Sequence, residues 1–346
     1  MPPAVFYPLT VSAVDRLTAD AAALTFAVPP DLRQTFAFRP GQSLTVRRGD
    51  ERRSYSICVP PGSAPRIGVR EVPDGCVSGW LVRGTRPGDT IEVQPPSGAF
   101  TPDLAVRGRH VLIAAGSGIT PVLSIAAALL AAGAEVTLLY GNRRADTVMF
   151  ADEVADLKDA YPTRMRLVHV LSREAQEVDL FTGRLDAAKL RTLLPALLDV
   201  PAVSDWWLCG PFGMVTGAIE VLSSFGVPRQ RMHRELFYVE EEPPPVVTHT
   251  ETAGPGAEVT VILDGRATTV TIPPGTPVLD GAQRARADLP FACKGGVCGT
   301  CRAVLREGKV TMRRNFALED SELAAGYVLT CQSLPATDTL VVDYDS

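Results

Sequence analysis

Four cysteines near the end of the chain constrain it more than any other feature. Cys293, Cys298 and Cys301 fall in one glycine-rich stretch, Cys293-Lys294-Gly295-Gly296-Val297-Cys298-Gly299-Thr300-Cys301, while Cys331 stands apart in Leu329-Thr330-Cys331-Gln332. This spacing, C-x4-C-x2-C with a distant fourth cysteine, is one at which four thiolates hold the two irons of a [2Fe–2S] cluster. Gly295, Gly296 and Gly299 suit that chemistry, because glycine lets backbone N–H groups approach sulfide closely and adopts positive φ. A four-cysteine zinc site is the alternative. Structural zinc usually draws on two short cysteine pairs, whereas here three cysteines share one loop and the fourth follows Cys301 by 30 positions. Such a cluster carries one electron, so the rest of the chain must account for a donor and an acceptor.

With 346 residues, the chain has room for two or three domains, and 46% apolar residues suffice for several cores. A net charge of −5 gives no basis for nucleic acid or an anionic membrane as a partner. No run approaches the roughly 18 apolar residues of a membrane span. The opening Met1-Pro2-Pro3-Ala4-Val5 lacks a basic segment followed by an apolar one, so a cytoplasmic protein is expected. An odd set of seven cysteines, four of them at ligand spacing, fits reduced, metal-binding thiols better than disulfides.

Three folded regions and a linker are expected. Residues 1–104 read as an antiparallel β-barrel, with short runs such as Leu24–Val28, Ser43–Val46, Ile67–Arg70 and Thr90–Val93 between Pro/Gly turns. Residues 105–239 read as an α/β domain with a parallel sheet. Its strands are His110–Ala115, Glu135–Tyr140, Met165–Val170 and Asp205–Cys209, and helices run through Ala132, over Phe150–Ala160 and over Phe212–Phe225. Residues 240–257 open on Glu240-Glu241-Glu242-Pro243-Pro244-Pro245, the composition of an extended, semi-rigid linker. Residues 258–346 begin with a hairpin around Asp264-Gly265, continue into a helix over Thr276–Ala287, and reach the cysteine loop.

Further motifs lie upstream. Arg53-Ser54-Tyr55-Ser56 offers a cation for a phosphate, a ring for stacking and a hydroxyl. Gly75-Cys76-Val77-Ser78 is a turn whose backbone N–H groups can meet an anion at a helix start. Gly116-Ser117-Gly118-Ile119-Thr120-Pro121 follows a strand and opens a helix, but lacks the full G-x-G-x-x-G spacing of a dinucleotide fingerprint. Cys209-Gly210-Pro211 ends a later parallel strand, where ligands of such sheets bind. Each feature has a plainer explanation as packing or as a solvated charge. Cys58 and Cys76 are read as small packing residues, and His110, His169 and His249 as structural or exposed. Arg143 and Arg173, beside Asn142 and Ser172 at strand ends and with no acidic residue just there, favour a 2′-phosphorylated nucleotide, NADPH, with NADH as the alternative.

Taken together, Arg53-x-Tyr55-Ser56, Gly75-x-x-Ser78, Gly116-x-Gly118-Ile119-x-Pro121 and Cys209-Gly210-Pro211 resemble the ferredoxin–NADP reductase family. The C-terminal region resembles plant-type ferredoxin. The combined order, covering essentially the whole chain, resembles oxygenase reductases with a ferredoxin fused at the C-terminus. This resemblance implies FAD held by Arg53, Tyr55, Ser56, Ile57, Val69, Arg70 and the turn Gly75, Cys76, Val77 and Ser78. It implies a nicotinamide site at Gly116, Gly118, Ile119, Thr120, Pro121, Cys209, Gly210 and Pro211, with Asn142, Arg143, Ser172 and Arg173 toward the nucleotide's far end. Ser56, Cys209 and Glu235 would act at the reacting centre, with Phe237 near the flavin. Cys293 and Cys298 would hold the outer iron, Cys301 and Cys331 the inner one. The implied partner is the oxygenase component of a multicomponent monooxygenase. Pro290–Cys298, Asn315–Glu319, Tyr140–Arg144 and Val170–Glu174 are most similar to reductases serving phenylacetyl-CoA epoxidase; Rieske and other di-iron oxygenases are the neighbouring candidates, and a stand-alone flavin reductase is a third.

Overall fold

The structure, a computed structural model, describes residues 5–49, 51–73, 75–237, 256–291, 293–318 and 320–345. The expected linker falls almost wholly outside these residues, as do His249, Tyr238, Val239 and Glu319. The chain forms two compact units, residues 7–237 and residues 238–346 with the first six residues.

The first unit opens with six antiparallel strands: β1 (Tyr7–Thr18), β2 (Ala21–Ala27), β3 (Ser43–Arg48), β4 (Glu51–Ser56), β5 (Arg66–Arg70) and β6 (Thr90–Val93). Their order is β4-β3-β6-β1-β2-β5. Just past β4, Ile57 bridges Ile67 of β5, and Cys58 N donates to Arg66 O at 2.9 Å. The sheet thus closes on itself as a barrel around Leu24, Phe26, Leu44, Val46, Ile67 and Ile91. β4 is not evident as a strand from sequence, because Glu51-Arg52-Arg53-Ser54-Tyr55-Ser56 carries no apolar alternation. Between β5 and β6 a short helix α1 (Cys76–Gly79) widens into a π-turn over Trp80–Gly84.

Five parallel strands follow: β7 (Arg109–Ala115), β8 (Glu135–Asn142), β9 (Met165–Leu171), β10 (Asp205–Gly210) and β11 (Met232–Leu236). They are ordered β11-β10-β7-β8-β9, with α2 (Ile119–Ala131), α3 (Ala151–Ala160), α4 (Ala187–Leu197) and α5 (Phe212–Ser224) between them. α4 is not among the expected helices because Pro195 interrupts its pattern; Asp186 caps it, accepting from Lys189 N at 2.8 Å, and Leu190, Leu193 and Leu194 bury its inner face. The strand order turns back between β7 and β10, which opens a crevice beyond their carboxyl ends. There Gly118 presses on β10: a Cβ on it would lie 2.1 Å from Cys209 O. One apolar core joins barrel and sheet, running from Ala21, Ala23, Cys58 and Phe100 to Ile119, Trp207 and Cys209.

In the second unit β12 (Ala257–Leu263) and β13 (Arg266–Ile272) form the expected hairpin. Asp264 and Gly265 have φ of 56° and 68°, as a two-residue type I′ turn requires. The helix expected over Thr276–Ala287 is only α6 (Val278–Ala282). Beyond it, the Arg286 side chain bonds Asp288 and the carbonyls of Leu263 and Arg266. β14 (Arg302–Glu307), β15 (Val310–Met312), α7 (Asp320–Ala324), β16 (Tyr327–Leu329), β17 (Ser333–Pro335) and β18 (Thr339–Asp343) complete the unit. The main sheet runs β13-β12-β18-β14-β16, with β12 and β18 parallel. This mixed sheet packed on a short helix is the β-grasp-like form expected. Among the described residues no helix is long and apolar enough to cross a membrane.

The close approach at Gly118 predicts two opposite effects. Gly118→Ala should destabilise residues 7–237 by about 3 kcal/mol through overpacking against backbone. Gly213→Ala, where nothing lies within 4 Å of the new methyl, should stabilise by about 0.5–1 kcal/mol. Thermal unfolding of both variants checks this; a neutral Gly118→Ala would mean the β7–β10 crevice tolerates a side chain there.

Candidate functional site

The crevice gathers residues that are far apart in sequence. β11 lies beside β10 in parallel register, pairing Glu235 with Cys209. Ser56, the buried last residue of β4, donates its hydroxyl to Glu235 Oε2 at 3.1 Å. The three residues expected at the reacting centre therefore meet where barrel and sheet join. Part of Glu235 reaches solvent, but protein crowds its carboxyl; burial pushes its pKa up to about 7, against the hydrogen bond from Ser56, which lowers it. Burial, reinforced by the Glu235 charge, raises the Cys209 thiol well above its usual range, so it stays protonated at neutral pH.

The glycine turn is fixed from several sides. Gly116 takes φ of +54°, and the buried Tyr140 hydroxyl lies 3.1 Å from Gly116 O and 3.2 Å from Met149 O. Arg70 donates to Thr147 O at 2.9 Å, and a Cβ on Gly116 would lie 3.1 Å from its guanidinium. Thr120 donates to Ser117 O at 2.9 Å, closing the turn into α2. Gly210 abuts Ala115, so the ends of β7 and β10 touch backbone to backbone. Phe237 packs, partly buried, on the joint core.

Other expected residues serve the site less directly. The side chains of Ile57, Val69 and Val77 are buried in the barrel core. Arg53 stands on the exposed side of β4, 2.8 Å from Glu51 Oε2. Tyr55 is partly buried, and burial raises its hydroxyl pKa. At the Gly75 turn, Ser78 Oγ accepts from Val72 N at 3.1 Å and so braces the loop. Cys76 is exposed rather than a packing residue, because it stands at the first position of α1 on the surface. Arg48, not singled out from sequence, donates to Cys76 O at 2.8 Å and lies 5.1 Å from the Trp80 ring centroid. Cys58 is buried as expected, its thiol bonded to Arg66 O.

Toward the sheet edge, Ser172 N donates to Asn142 O at 2.9 Å and Arg173 N to Arg143 O at 2.8 Å, so β8 and β9 run out together. Asn142 is 8% exposed, and its side-chain amide makes no hydrogen bond among the described residues, an orphan polar group facing the ligand end of the sheet. Arg143 and Arg173 are exposed, and among the described residues neither makes an ion pair. Glu174, one position on, is an acidic neighbour that the sequence pattern does not single out; its carboxylate is occupied with Ala145 N at 2.9 Å.

In the second unit, Cys293 lies within hydrogen-bonding reach of Cys298, and Cys301 of Cys331. Among the described residues no three His, Cys, Asp or Glu converge on one metal position. Two neighbouring pairs of thiols would suit two irons held by two cysteines each. Hydrogen bonds from Cys298, then from the N–H groups of Gly295, Val297 and Cys298, hold the Cys293 thiol well below its usual range. A hydrogen bond from Cys301, with help from Gln332 and Gly296 N–H, lowers the Cys331 thiol, while the partner thiols of Cys298 and Cys301 are pushed up. Gly296 and Gly299 have φ of +79° and +67°, aiming the loop's amides at sulfur. A loop lined with inward N–H donors and paired thiols fits an anionic iron–sulfur cluster.

Barrel, parallel sheet and cysteine loop together define an electron-transfer oxidoreductase. The sequence matches three family models: an oxidoreductase FAD-binding domain over residues 8–101, an oxidoreductase NAD-binding domain over residues 112–220, and a 2Fe-2S iron-sulfur cluster binding domain over residues 261–336. It is 42% identical over 352 residues to one subunit of the 1,2-phenylacetyl-CoA epoxidase of Escherichia coli (strain K12), covering 99% of this chain and 98% of that one. It is 37% identical over 350 residues to the ferredoxin reductase component of 3-ketosteroid-9-alpha-monooxygenase from Rhodococcus rhodochrous, covering 97% and 96%. Phthalate dioxygenase reductase shares the fold, with a TM-score of 0.61 at 24% identity over 98% of both chains. The chain belongs to the family of oxygenase reductase components that carry FAD, a pyridine-nucleotide site and a [2Fe–2S] domain.

The Glu235 environment predicts a pH dependence. Its folded pKa lies above the ordinary carboxylate value, so its protonated form is favoured by folding, and stability is lost as pH rises from about 4.5 through about 7. Glu235→Gln should be close to wild type in stability at pH ~4 and relatively more stable at pH ~8, as read by denaturant midpoints. A difference that does not change with pH would show that the carboxyl titrates normally.

Proposed function

We propose that this chain takes electrons from NADPH and delivers them to the oxygenase component of a phenylacetyl-CoA epoxidase. The convergence of Ser56, Cys209 and Glu235 at the crevice supports the donor side most directly. The full-length likeness to the Escherichia coli epoxidase chain, at 42% identity, supports this acceptor. In this reading residues 1–104 bind FAD, 105–239 the nucleotide and 258–346 the cluster, with 240–257 joining them.

When bound, FAD supplies the change from two-electron to one-electron transfer, and the [2Fe–2S] cluster supplies single-electron relay. The chain's own residues bind, orient and hold protons. Arg53 neutralises a flavin phosphate, Tyr55 lies against the ring, and the N–H groups of Gly75–Ser78 face the pyrophosphate. Gly116 to Pro121 and Cys209 to Pro211 would line the nicotinamide site, and glycine at 118 lets the two segments close on each other, since a side chain there would strike the Cys209 carbonyl. The Ser56–Glu235 pair, poised near neutrality, holds a proton beside the reacting ring edge. Cys209 stays a neutral thiol there, adding no charge to repel the incoming electron pair. Arg143 and Arg173 face a 2′-phosphate, and the buried amide of Asn142 gains the partner it lacks. Cys293, Cys298, Cys301 and Cys331 ligate the cluster.

The test is reconstitution. Purified chain, NADPH and the oxygenase component of phenylacetyl-CoA epoxidase should give coupled product formation, while the oxygenase of 3-ketosteroid-9-alpha-monooxygenase should not. NADPH should exceed NADH in kcat/KM, and replacing Arg143 and Arg173 by Ala should narrow that gap roughly ten- to hundredfold, the worth of charge-assisted contacts to a phosphate. Coupling only to the steroid oxygenase, or NADPH oxidation unaffected by either, would replace the acceptor; no cofactor preference would remove the role of the arginines.

A further inference from the structure

We propose that Gln332 is a positioning and tuning residue of the cluster: its side-chain amide joins the three-cysteine loop to the segment bearing the fourth cysteine and donates to Cys331 sulfur. The proposal rests on the reading that the four cysteines hold the [2Fe–2S] cluster.

Gln332 is 5% exposed. Its Nε2 donates to Lys294 O at 2.8 Å and to Cys331 Sγ at 3.6 Å, which uses both N–H bonds of the amide. Both neighbours can only accept there, a carbonyl on one side and a thiolate on the other, so the amide has one sensible orientation. Its backbone is also committed, since Gln332 N donates to Leu329 O at 2.8 Å and Gln332 O accepts from Arg313 N at 2.9 Å.

The loop in turn rests on this side chain. A Cβ on Gly296 would lie 3.0 Å from Gln332 Cγ, so the glycine is required there by contact as well as by its φ of +79°. Lys294 takes φ of 52°, left-handed and therefore strained for a residue with a side chain. Lys294 is held from two directions. Gln332 binds its carbonyl, while its ammonium reaches Asp280 Oδ1 at 2.9 Å and Gln283 Oε1 at 2.8 Å, 4.8 Å from the Phe291 centroid. The one non-glycine left-handed residue in the described part of the loop is thus the residue that Gln332 grips.

Two consequences differ in what they move. Joining the two ligand-bearing segments slows loss of the cluster. Donation to a ligand thiolate favours the reduced cluster, because each added electron raises the negative charge on sulfur and strengthens an N–H···S bond. A merely structural glutamine would affect cluster retention and leave the reduction potential alone.

The experiment is an EPR-monitored redox titration of the full-length holoprotein and of two variants. Gln332→Met keeps the length and apolar bulk without donors, and Gln332→Glu keeps the shape while replacing the amide with a carboxylate. Both should lower the midpoint potential of the cluster, and both should lose its visible absorption faster in the presence of a chelator. Gln332→Glu keeps the test open if Gln332→Met fails to fold. An unchanged potential in either cluster-loaded variant overturns the proposal. Failure of the underlying ligand assignment reads differently: wild-type chain supplied with iron and sulfide would show no [2Fe–2S] signal, or Cys331→Ser would leave that signal unaltered.

Discussion

The closeness of backbone to backbone at the ends of β7 and β10 is what the crevice depends on. Gly118 lies against the Cys209 carbonyl and Gly210 against Ala115, so two strand ends meet without a side chain between them. That contact places Cys209 beside the glycine turn, and the parallel register of β10 with β11 then fixes Glu235 beside Cys209. The barrel is locked to the same place by the joint apolar core and by Ser124 donating to Val59 O at 2.6 Å. Ser56 is therefore brought to Glu235 by strand pairing and by the core that joins barrel and sheet. The carboxyl's raised pKa follows from that enclosure, since little besides one hydroxyl stabilises its charge.

The second unit solves a related problem with different means. A cluster loop must point many amides at sulfur, and regular secondary structure cannot do so because its N–H groups are already spent. Positive φ at Gly296, Gly299 and Lys294 turns the amides inward, and buried polar side chains hold the strained backbone. Around the inner pair, Tyr344 donates to Thr330 at 2.8 Å and Thr330 to Cys301 O at 2.9 Å, a relay sealed in the core. Two surface charges near the cysteines are matched, Lys294 with Asp280 and Arg302 with Glu322.

Much of this is legible in the sequence, for identifiable reasons. The cysteine spacing, the Asp264-Gly265 turn and the buried strand before Gly116 are local patterns whose chemistry admits few alternatives. The meeting of Ser56, Cys209 and Glu235 can be expected only through family resemblance, because 179 positions separate Ser56 from Glu235 and no local pattern links them. What stays hidden depends on tertiary context. β4 is polar along its length yet pairs as a strand with β3; α4 carries a proline; the helix after Pro277 is shorter than its pattern, and the Arg286 side chain beyond it bonds back to the hairpin. Cys76 reads as a small apolar residue but stands exposed at a helix start. Gln332 adjoins a cysteine ligand in sequence, but its hold on Lys294 is visible only in space.

Electrons that enter through the nucleotide-binding domain should leave through the cysteine loop. Anaerobic mixing of the holoprotein with NADPH, followed by flavin absorbance and by EPR of the cluster, tests this most directly. The flavin should bleach first, and the reduced [2Fe–2S] signal should then grow without any added mediator. A flavin that bleaches while the cluster stays oxidised, although dithionite reduces it readily, would contradict it.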